Sequence, residues 1–200
     1  AEKVPNTPTA QIKPLFTLSN IKGLDYLHEE LVSTDFTKEI LLPNKMSELG
    51  PFISSGDLNG DQLADLFVGG SRGIQSEIFL QKSDGSFEKT TQPAFLTDRN
   101  FEDMSSVIFD ADNDGDNDLY VVSGSNECPA NHPILQDRLY INDGKGIFKR
   151  AAADALPKMF ESGQKVLTHD FNGDGWMDIV SFGRQIPENY PRTPKSFILL

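Results

Sequence analysis

An all-β fold built from repeated antiparallel sheets is predicted by three features of this 200-residue sequence. A nine-residue acidic pattern occurs three times, at intervals of 53 and 60 residues. Short runs rich in Val, Ile and Phe flank each copy and are typical of buried strands. Asp-Gly turns follow the first two copies, where they indicate β-hairpins. Each unit is therefore predicted to contain a strand, an acidic loop, a strand, a variable loop, a strand, a tight turn and a strand.

The three acidic patterns begin at Asp57, Asp110 and Asp170 and are called acidic loops 1, 2 and 3. Position 1 is Asp in every copy, position 3 is Asp or Asn, and positions 5 and 9 are Asp. Their recurrence inside the same frame of strands argues against unrelated, solvated Asp-Gly turns. The residues at positions 1, 3, 5 and 9 are Asp57, Asn59, Asp61 and Asp65 in loop 1, Asp110, Asp112, Asp114 and Asp118 in loop 2, and Asp170, Asn172, Asp174 and Asp178 in loop 3.

The strands that frame these loops are recognisable in order along the chain. PFISSG, SSVIFD and KVLTHD lead into the loops, and DLFVGG, DLYVVSG and DIVSFG leave them. SEIFLQKSDGSFEKT and DRLYINDGKGIFKRA then form hairpins, and KSFILL begins a third one. Four strands in a unit of about fifty residues are typical of a β-propeller blade. Since a closed propeller needs more than three blades, we expect this chain to be a fragment of a propeller with about seven blades.

The same patterns predict where the chain divides. The proline-rich, polar start is expected to be a flexible tether, and the stretch after it is expected to contribute strands to a partial blade. The predicted divisions are a tether at 1–14 and a partial propeller at 15–200, made of a partial blade at 15–50, repeat 1 at 51–92, repeat 2 at 104–152 and a truncated repeat 3 at 163–200.

The spacing of the acidic loops fits calcium. Ca²⁺ takes six to eight oxygen ligands at about 2.3–2.6 Å, and short side chains at positions 1, 3, 5 and 9 of a tight loop can converge on one ion. Position 7 is expected to supply a backbone carbonyl, from Leu63, Asp116 or Trp176. Glycines help the loop turn, but Gln62 stands where the other loops have Gly115 and Gly175. If position 6 needs a positive φ, loop 1 carries strain and binds more weakly.

Other metal sites fit less well. An EF-hand needs a Glu at position 12, where these loops have Val68, Val121 and Ser181, and it needs flanking helices. Zinc prefers His or Cys ligands, which the loops lack. Magnesium can use oxygen ligands but tends to keep several waters. The sequence therefore predicts up to three structural Ca²⁺ sites, with no catalytic role for their aspartates.

Composition limits the classes of function. The net charge of −12 disfavours nucleic acid as a partner. No apolar run is long enough for a transmembrane segment. The single cysteine, Cys128, cannot form an internal disulfide. The first residues lack the basic and apolar regions of a signal peptide, so the start is interpreted as a processed or trimmed N-terminus.

Two classes of function remain. The first is a binding, adhesion or scaffold module for a glycan or protein, which uses Arg72, Arg184, Tyr190 and Arg192 on the variable loops. The alternative is a polysaccharide lyase or hydrolase with structural Ca²⁺ sites. His28, His132 and His169 stand in unlike contexts, and the acidic pairs Glu29-Glu30 and Glu102-Asp103 are expected at exposed strand ends. A non-enzymatic module is therefore the preferred prediction.

The motif DxDxDGxxD between two strands, with Leu49-Gly50-Pro51 before it and Gly69-Gly70 after it, resembles the FG-GAP repeat of integrin-α-type propellers and the similar VCBS repeats. The resemblance runs from about Leu15 to Leu200. The arrangement of the repeats resembles that of bacterial secreted FG-GAP/VCBS proteins, which include surface lipoproteins. It implies Ca²⁺ ligands at positions 1, 3, 5 and 9 of all three loops. It also implies an extracellular, cell-surface or periplasmic location, with room for a lipid anchor upstream of residue 1.

Overall fold

Three antiparallel sheets form the framework of the computed structural model, which describes residues 14–200. Their strands are β1 (Ile53–Gly56), β2 (Asp65–Val68), β3 (Glu77–Gln81), β4 (Phe87–Thr90), β5 (Asp103–Phe109), β6 (Asp118–Ser123), β7 (Arg138–Ile141), β8 (Lys149–Arg150), β9 (Ser162–His169), β10 (Asp178–Gln185) and β11 (Phe197–Leu199). Consecutive strands pair within blade 1 (β1–β4), blade 2 (β5–β8) and blade 3 (β9–β11). The predicted all-β class and the repeated antiparallel meander are confirmed.

Strand β6 is buried along its whole length and contributes to two cores. Leu119 and Val121 belong to a core shared with blade 1, whereas Tyr120 and Val122 belong to a core shared with blade 3. Successive side chains of a strand point to opposite faces of its sheet. The uninterrupted apolar run of β6 is therefore what a strand covered on both faces requires.

A short helix, α2 (Pro93–Thr97), connects blades 1 and 2 and was not predicted from the sequence. Its Phe95 packs edge-to-face against Phe67, with ring centroids 5.7 Å apart, and against Tyr140 at 5.0 Å. Such geometry suits the quadrupoles of aromatic rings. The local signal for this helix is Pro93, since proline is favoured at the first helical position.

A buried ion pair within blade 2, between Asp103 on β5 and Arg138 on β7, lies at the contact with blade 1. Each side chain is 2% exposed. Asp103 also accepts hydrogen bonds from the backbone N–H of Gly70, at 2.8 Å, and from the hydroxyl of Ser76, both of which belong to blade 1. The Arg138 guanidinium lies 4.5 Å from the centre of the Phe101 ring. The expectation that Glu102-Asp103 is an exposed pair is wrong, because both residues are buried.

The Gly69-Gly70 pair lets this network form. A Cβ on Gly69 would lie 2.8 Å from the Cβ of Asp103, and one on Gly70 would lie 2.2 Å from the carbonyl oxygen of Ile74. Only glycine tolerates such close approach. The two glycines therefore bring the backbone of blade 1 against the buried carboxylate of blade 2.

Residues 14–50 contain no strand, which differs from the expected partial blade. Their one helix is α1 (Asp35–Lys38). Instead of pairing with a strand, backbone N–H groups of Met46 and Ser47 donate to the Asp35 carboxylate, at 2.6 and 2.9 Å. Local side-chain acceptors of this kind compete with a strand ladder for backbone donors.

Residues 26–50, here called the N-terminal segment, cross the loops that join the second and third strands of each blade. These loops are variable loops 1 (residues 69–76), 2 (residues 124–137) and 3 (residues 186–196). The hydroxyl of Ser71 donates to the carbonyl of Glu29, at 2.5 Å. The amide of Asn126 and the backbone N–H of Tyr190 both donate to the carboxylate of Glu39, at 3.0 and 2.8 Å. One segment therefore contacts a loop from every blade.

The predicted tether at 1–14 lies outside the described residues except for Pro14. Among residues 14–200, no helix has the length and apolar character needed to cross a membrane. The longest described helix is α2, and a 3₁₀ turn spans Pro133–Leu135.

Asp137 joins blade 2 to blade 3. Its Oδ2 accepts hydrogen bonds from the hydroxyl of Tyr120, at 2.7 Å, and from the hydroxyl of Ser181, at 2.8 Å. Its Oδ1 accepts from the backbone N–H of Ser123, at 2.9 Å. Burial raises the pKa of Asp137 from 3.8 to about 6, against the opposing effect of these hydrogen bonds and of Arg138. Burial therefore favours the protonated carboxyl group in the folded state, whereas the hydrogen bonds favour the ionised one.

Replacing Arg138 by Met should lower the free energy of unfolding by about 3–5 kcal/mol, because it leaves the buried Asp103 carboxylate without its counter-charge. Urea unfolding measures the change. Lys82→Met is the matched control, since Lys82 pairs with Glu88 at the surface, at 2.6 Å, and its loss should have little effect. Equal losses in the two variants would contradict the proposed importance of the buried pair.

Asp137→Asn should remove a pH-dependent term from stability. The pKa of Asp137 in the folded protein, about 6, lies above the ordinary value of 3.8 expected in the unfolded chain. Protonation of the carboxyl group therefore stabilises the fold fully below about pH 4, and this stabilisation is lost as the pH rises through about 6. The unfolding free energy of the wild type minus that of the variant should thus fall by on the order of 2–3 kcal/mol between pH 4 and 7. Denaturant unfolding at several pH values measures it, and a flat difference would contradict the assignment.

Candidate metal sites

The acidic loops lie together at one end of the blades. Each one joins the first and second strands of its blade, β1 to β2, β5 to β6 and β9 to β10. The variable loops join the second and third strands and therefore lie at the opposite end, since consecutive strands are antiparallel. The fold thus separates the candidate metal loops from the loops predicted to bind a partner.

The carboxylate at position 1 organises the backbone of each loop. Its Oδ2 accepts a hydrogen bond from the N–H of position 6, and its Oδ1 accepts one from position 5. The position 6 to position 1 distances are 2.8 Å for Gln62 to Asp57, 3.0 Å for Gly115 to Asp110 and 3.0 Å for Gly175 to Asp170. The N–H of Gly175 holds the pKa of Asp170 below its usual range. These bonds stabilise the ionised carboxylate inside the loop.

Each loop turns through two residues with left-handed backbone conformation. At position 4 they are Gly60, Asn113 and Gly173, and at position 6 they are Gln62, Gly115 and Gly175. Gln62 has a φ of 66°, compared with 96° for Gly115 and 89° for Gly175. Position 6 therefore has a positive φ in all three loops, which is the condition under which loop 1 carries strain. Since a side chain disfavours this conformation, Gln62 places strain in loop 1.

The carboxylate at position 9 is buried in every loop: Asp65 and Asp118 are 0% exposed, and Asp178 is 2% exposed. Its Oδ2 accepts a hydrogen bond from position 2, with distances of 2.8 Å from Leu58, 2.9 Å from Ala111 and 2.7 Å from Phe171. In blades 1 and 2, its Oδ1 also accepts a backbone N–H, at 2.7 Å from Gln81, the last residue of β3, and at 2.9 Å from Asn142, which directly follows β7. Sequence reasoning predicted a ligand here but missed this structural role.

In loop 2, three carboxylates converge. One oxygen each from Asp110, Asp112 and Asp118 lie within 4.8 Å of one another, and this is the one such acidic group found among the described residues. Two oxygens on opposite sides of a Ca²⁺ ion are about 5 Å apart, given ligand distances of about 2.3–2.6 Å. The chemistry and spacing of this donor set therefore fit Ca²⁺.

The fourth predicted side chain of loop 2, Asp114, is not in this group. Its Oδ1 accepts a hydrogen bond from the N–H of Asp116, at 3.1 Å. Asp116 itself has a raised pKa, caused first by burial and then by the neighbouring Asp114. Its Oδ1 is buried without a hydrogen-bond partner in the described part of the chain. This crowding of negative charge favours a nearby cation.

Loops 1 and 3 differ from loop 2 at position 3. The side-chain amide of Asn59 donates to Asp61, at 3.1 Å, and that of Asn172 donates to Asp174, at 2.9 Å. An internal hydrogen bond thus replaces the like-charge contact that an Asp would make. Loops 1 and 3 therefore carry less negative charge than loop 2, and a cation would relieve the most like-charge repulsion in loop 2. The carbonyls of Leu63, Asp116 and Trp176 remain predicted ligands.

The side chains proposed to contact a partner differ in their contacts and exposure. Arg72 donates to the carbonyl of Glu127, at 3.2 Å, and Arg184 donates to the carbonyl of Met46, at 3.0 Å. Tyr190 is 43% exposed and Arg192 is also exposed. Arg184 therefore holds the N-terminal segment, whereas Tyr190 and Arg192 face solvent.

A family model described as FG-GAP-like repeat matches the chain twice, over residues 57–121 and 110–181. The first match begins at position 1 of loop 1, and the second begins at position 1 of loop 2. Together they cover more than half of the chain. A search of curated proteins found no match.

Gln62→Gly should raise the free energy of unfolding by about 1 kcal/mol, because glycine adopts the left-handed backbone conformation without the strain that a side chain causes. Urea unfolding in the presence of a chelator measures this effect without metal. Gly115→Gln is the matched reverse change and should destabilise by a similar amount. A Cβ at Gly115 would meet nothing within 4 Å, so backbone strain alone would act there. A destabilising Gln62→Gly would refute the strain assignment.

Proposed function

Because this chain belongs to the FG-GAP-like repeat family, we propose that it is a calcium-stabilised part of a β-propeller and serves as an extracellular binding or scaffold module for a glycan or protein. Repeats of this family often bind Ca²⁺, are typically extracellular or at the cell surface, and are generally non-enzymatic. The proposed repeats span residues 51–92, 104–152 and 163–200.

The observation that carries the calcium proposal is the convergence of Asp110, Asp112 and Asp118 in loop 2. By analogy of position, each loop would hold one ion through its side chains at positions 1, 3, 5 and 9 and the carbonyl at position 7. The ion would supply positive charge to a loop that holds several carboxylates. The aspartates act as structural ligands in this proposal.

The net charge supports the same proposal. Three Ca²⁺ ions, with two charges each, would bring the formal charge from −12 to −6. The repulsion that they relieve is concentrated in loop 2, where all of positions 1, 3, 5, 7 and 9 are Asp. Removing like-charge repulsion from the folded state stabilises it.

The partner would bind at the end of the blades that carries the variable loops. The N-terminal segment lies across these loops, so the two together form the available surface. Tyr190 and Arg192 are proposed contact residues, since both side chains reach solvent. An aromatic ring and a guanidinium can stack on or hydrogen-bond a sugar or a protein partner.

The contacts of the histidines weigh against the polysaccharide lyase or hydrolase alternative. The two ring nitrogens of His28 are used by the hydroxyl of Tyr26, at 3.0 Å, and by Glu30, at 2.6 Å. His132 accepts a backbone N–H at the start of the 3₁₀ turn, and His169 packs edge-to-face on Phe171. The imidazoles therefore make separate structural contacts, so the enzyme alternative is not proposed.

Removal of calcium should lower the melting temperature. An ion present at a hundred times its Kd stabilises by about 2.7 kcal/mol per site, which corresponds to roughly 5–10 °C for a domain of this size. Thermal unfolding with Ca²⁺ and with a chelator measures the shift. A melting temperature that ignores the chelator would overturn the calcium proposal.

Variants of loop 2 test the ligand assignment in the same assay. Asp112→Ala removes a converging carboxylate and should reduce the calcium-dependent shift. Asp116→Asn is the control, because position 7 is proposed to use its backbone oxygen. Equal reductions would contradict the assignment.

Ion binding in loop 3 can be followed separately. Terbium luminescence excited through Trp176, the one tryptophan of the sequence, reports ion binding in that loop.

A further inference from the structure

The tight turn between β7 and β8, residues 142–146, lies between acidic loops 1 and 2. On one side, a Cβ built at Gly146 would be 3.4 Å from the carbonyl oxygen of Leu58 in loop 1. On the other side, a Cβ built at Gly144 would be 3.0 Å from the Oδ2 of Asp116 in loop 2. The turn therefore contacts both candidate metal loops.

Asn142 connects the two loops through this turn. Its Nδ2 donates to the carbonyl of Leu58 in loop 1, at 2.9 Å, and to the carbonyl of Asn117 in loop 2, at 2.8 Å. Its Oδ1 accepts from the N–H groups of Asp143 and Gly146, at 2.9 and 3.1 Å. The side chain is buried and all four of its hydrogen-bonding capacities are used. Its position is therefore fixed by both loops together.

Asn117, at position 8 of loop 2, makes a second and direct connection. Its Nδ2 donates to the carbonyl of Asp57, position 1 of loop 1, at 2.8 Å. Position 8 is Ala64 in loop 1 and Met177 in loop 3, and neither side chain carries a hydrogen-bond donor. This connection is therefore particular to the pair of loops 1 and 2.

The connected carbonyls are close to the proposed ligands. Asp57 contributes both a bridging carbonyl and a position 1 carboxylate, and Asn117 immediately precedes the position 9 carboxylate of Asp118. The backbone N–H of Asn142 also donates to Asp118, at 2.9 Å. A shift in the backbone of one loop would thus displace ligand residues of the other loop, because one or two hydrogen bonds connect them.

We propose that acidic loops 1 and 2 bind Ca²⁺ cooperatively, with Asn117 and Asn142 as positioning residues that couple them. This inference rests on the proposed function, that the loops bind Ca²⁺. An ion in one loop fixes the carbonyls that the bridge holds, so the other loop has less to order when its own ion binds. Coupling of this kind is reciprocal, so each loop raises the affinity of the other by the same factor.

The test is a Ca²⁺ titration of the full chain followed by amide NMR. Gly60, Gly115 and Gly175 each donate an N–H to the position 1 carboxylate of their own loop, so their signals report the three loops separately. Loop 1 is disabled by Asp61→Ala, which leaves the bridged carbonyls in place. When Asn117 is unchanged, Asp61→Ala should raise the Kd of loop 2 for Ca²⁺ about fivefold, which is at the low end of the coupling factors known between sites.

Asn117→Ala should reduce that dependence to less than about fivefold, because only the Asn142 bridge then remains between loops 1 and 2. An undiminished effect would exclude Asn117 as a coupling residue. Alanine already occupies the same position in loop 1, so the loop geometry tolerates it. Met177→Ala, at the same position of loop 3, is the matched control and should preserve the fivefold effect. A loop 2 affinity that ignores Asp61→Ala when Asn117 is present would overturn the coupling while leaving calcium binding intact. If Ca²⁺ moves none of the three glycine signals, the proposed function fails and the coupling fails with it.

Discussion

The buried carboxylate at position 9 fixes each acidic loop to its blade. Asp65, Asp118 and Asp178 each accept a backbone N–H from the start of their own loop. The first two also accept one from the last residue of the third strand or from the residue directly after it. A buried carboxylate is costly unless donors or a cation surround it. Burial raises the pKa of Asp65 and Asp118 against the effect of these donors. The same atoms that hold the loop in place therefore also favour a nearby positive charge.

The sequence allowed prediction of the features whose causes are local. The acidic spacing, the Asp-Gly hairpins and the apolar runs lie within a few residues of one another, and the structure has the expected strands around them. The sequence also marked position 6 as a place where a positive φ would matter, because Gly115 and Gly175 stand where Gln62 does. The convergence of Asp112 but not Asp114 could not, since it depends on which backbone N–H each carboxylate accepts.

The features that were missed depend on distant partners. Asp103 looks like a solvated acid in sequence, but its counter-charge is Arg138, which lies 35 residues further along the chain. The segment at 14–50 has enough apolar residues to suggest strands, yet the backbone donors of Met46 and Ser47 are taken by Asp35. The carboxylate of Glu39 accepts from variable loops 2 and 3. Helix α2 is held mainly by Phe95 in a core built from two blades. Such contacts form only in the assembled fold, so no periodic pattern in the sequence predicts them.

The contacts of the N-terminal segment also bear on the order in which the chain folds. It precedes all three blades in the chain, yet its contacts are with a variable loop from each of them, up to 151 residues away in the case of Tyr190 and Glu39. Each blade is a local meander and can form early, whereas contacts of such long sequence separation carry a large entropy of loop closure. We therefore expect the N-terminal segment, although it is synthesised before the blades, to reach its native position after them, by docking onto blades that have already assembled.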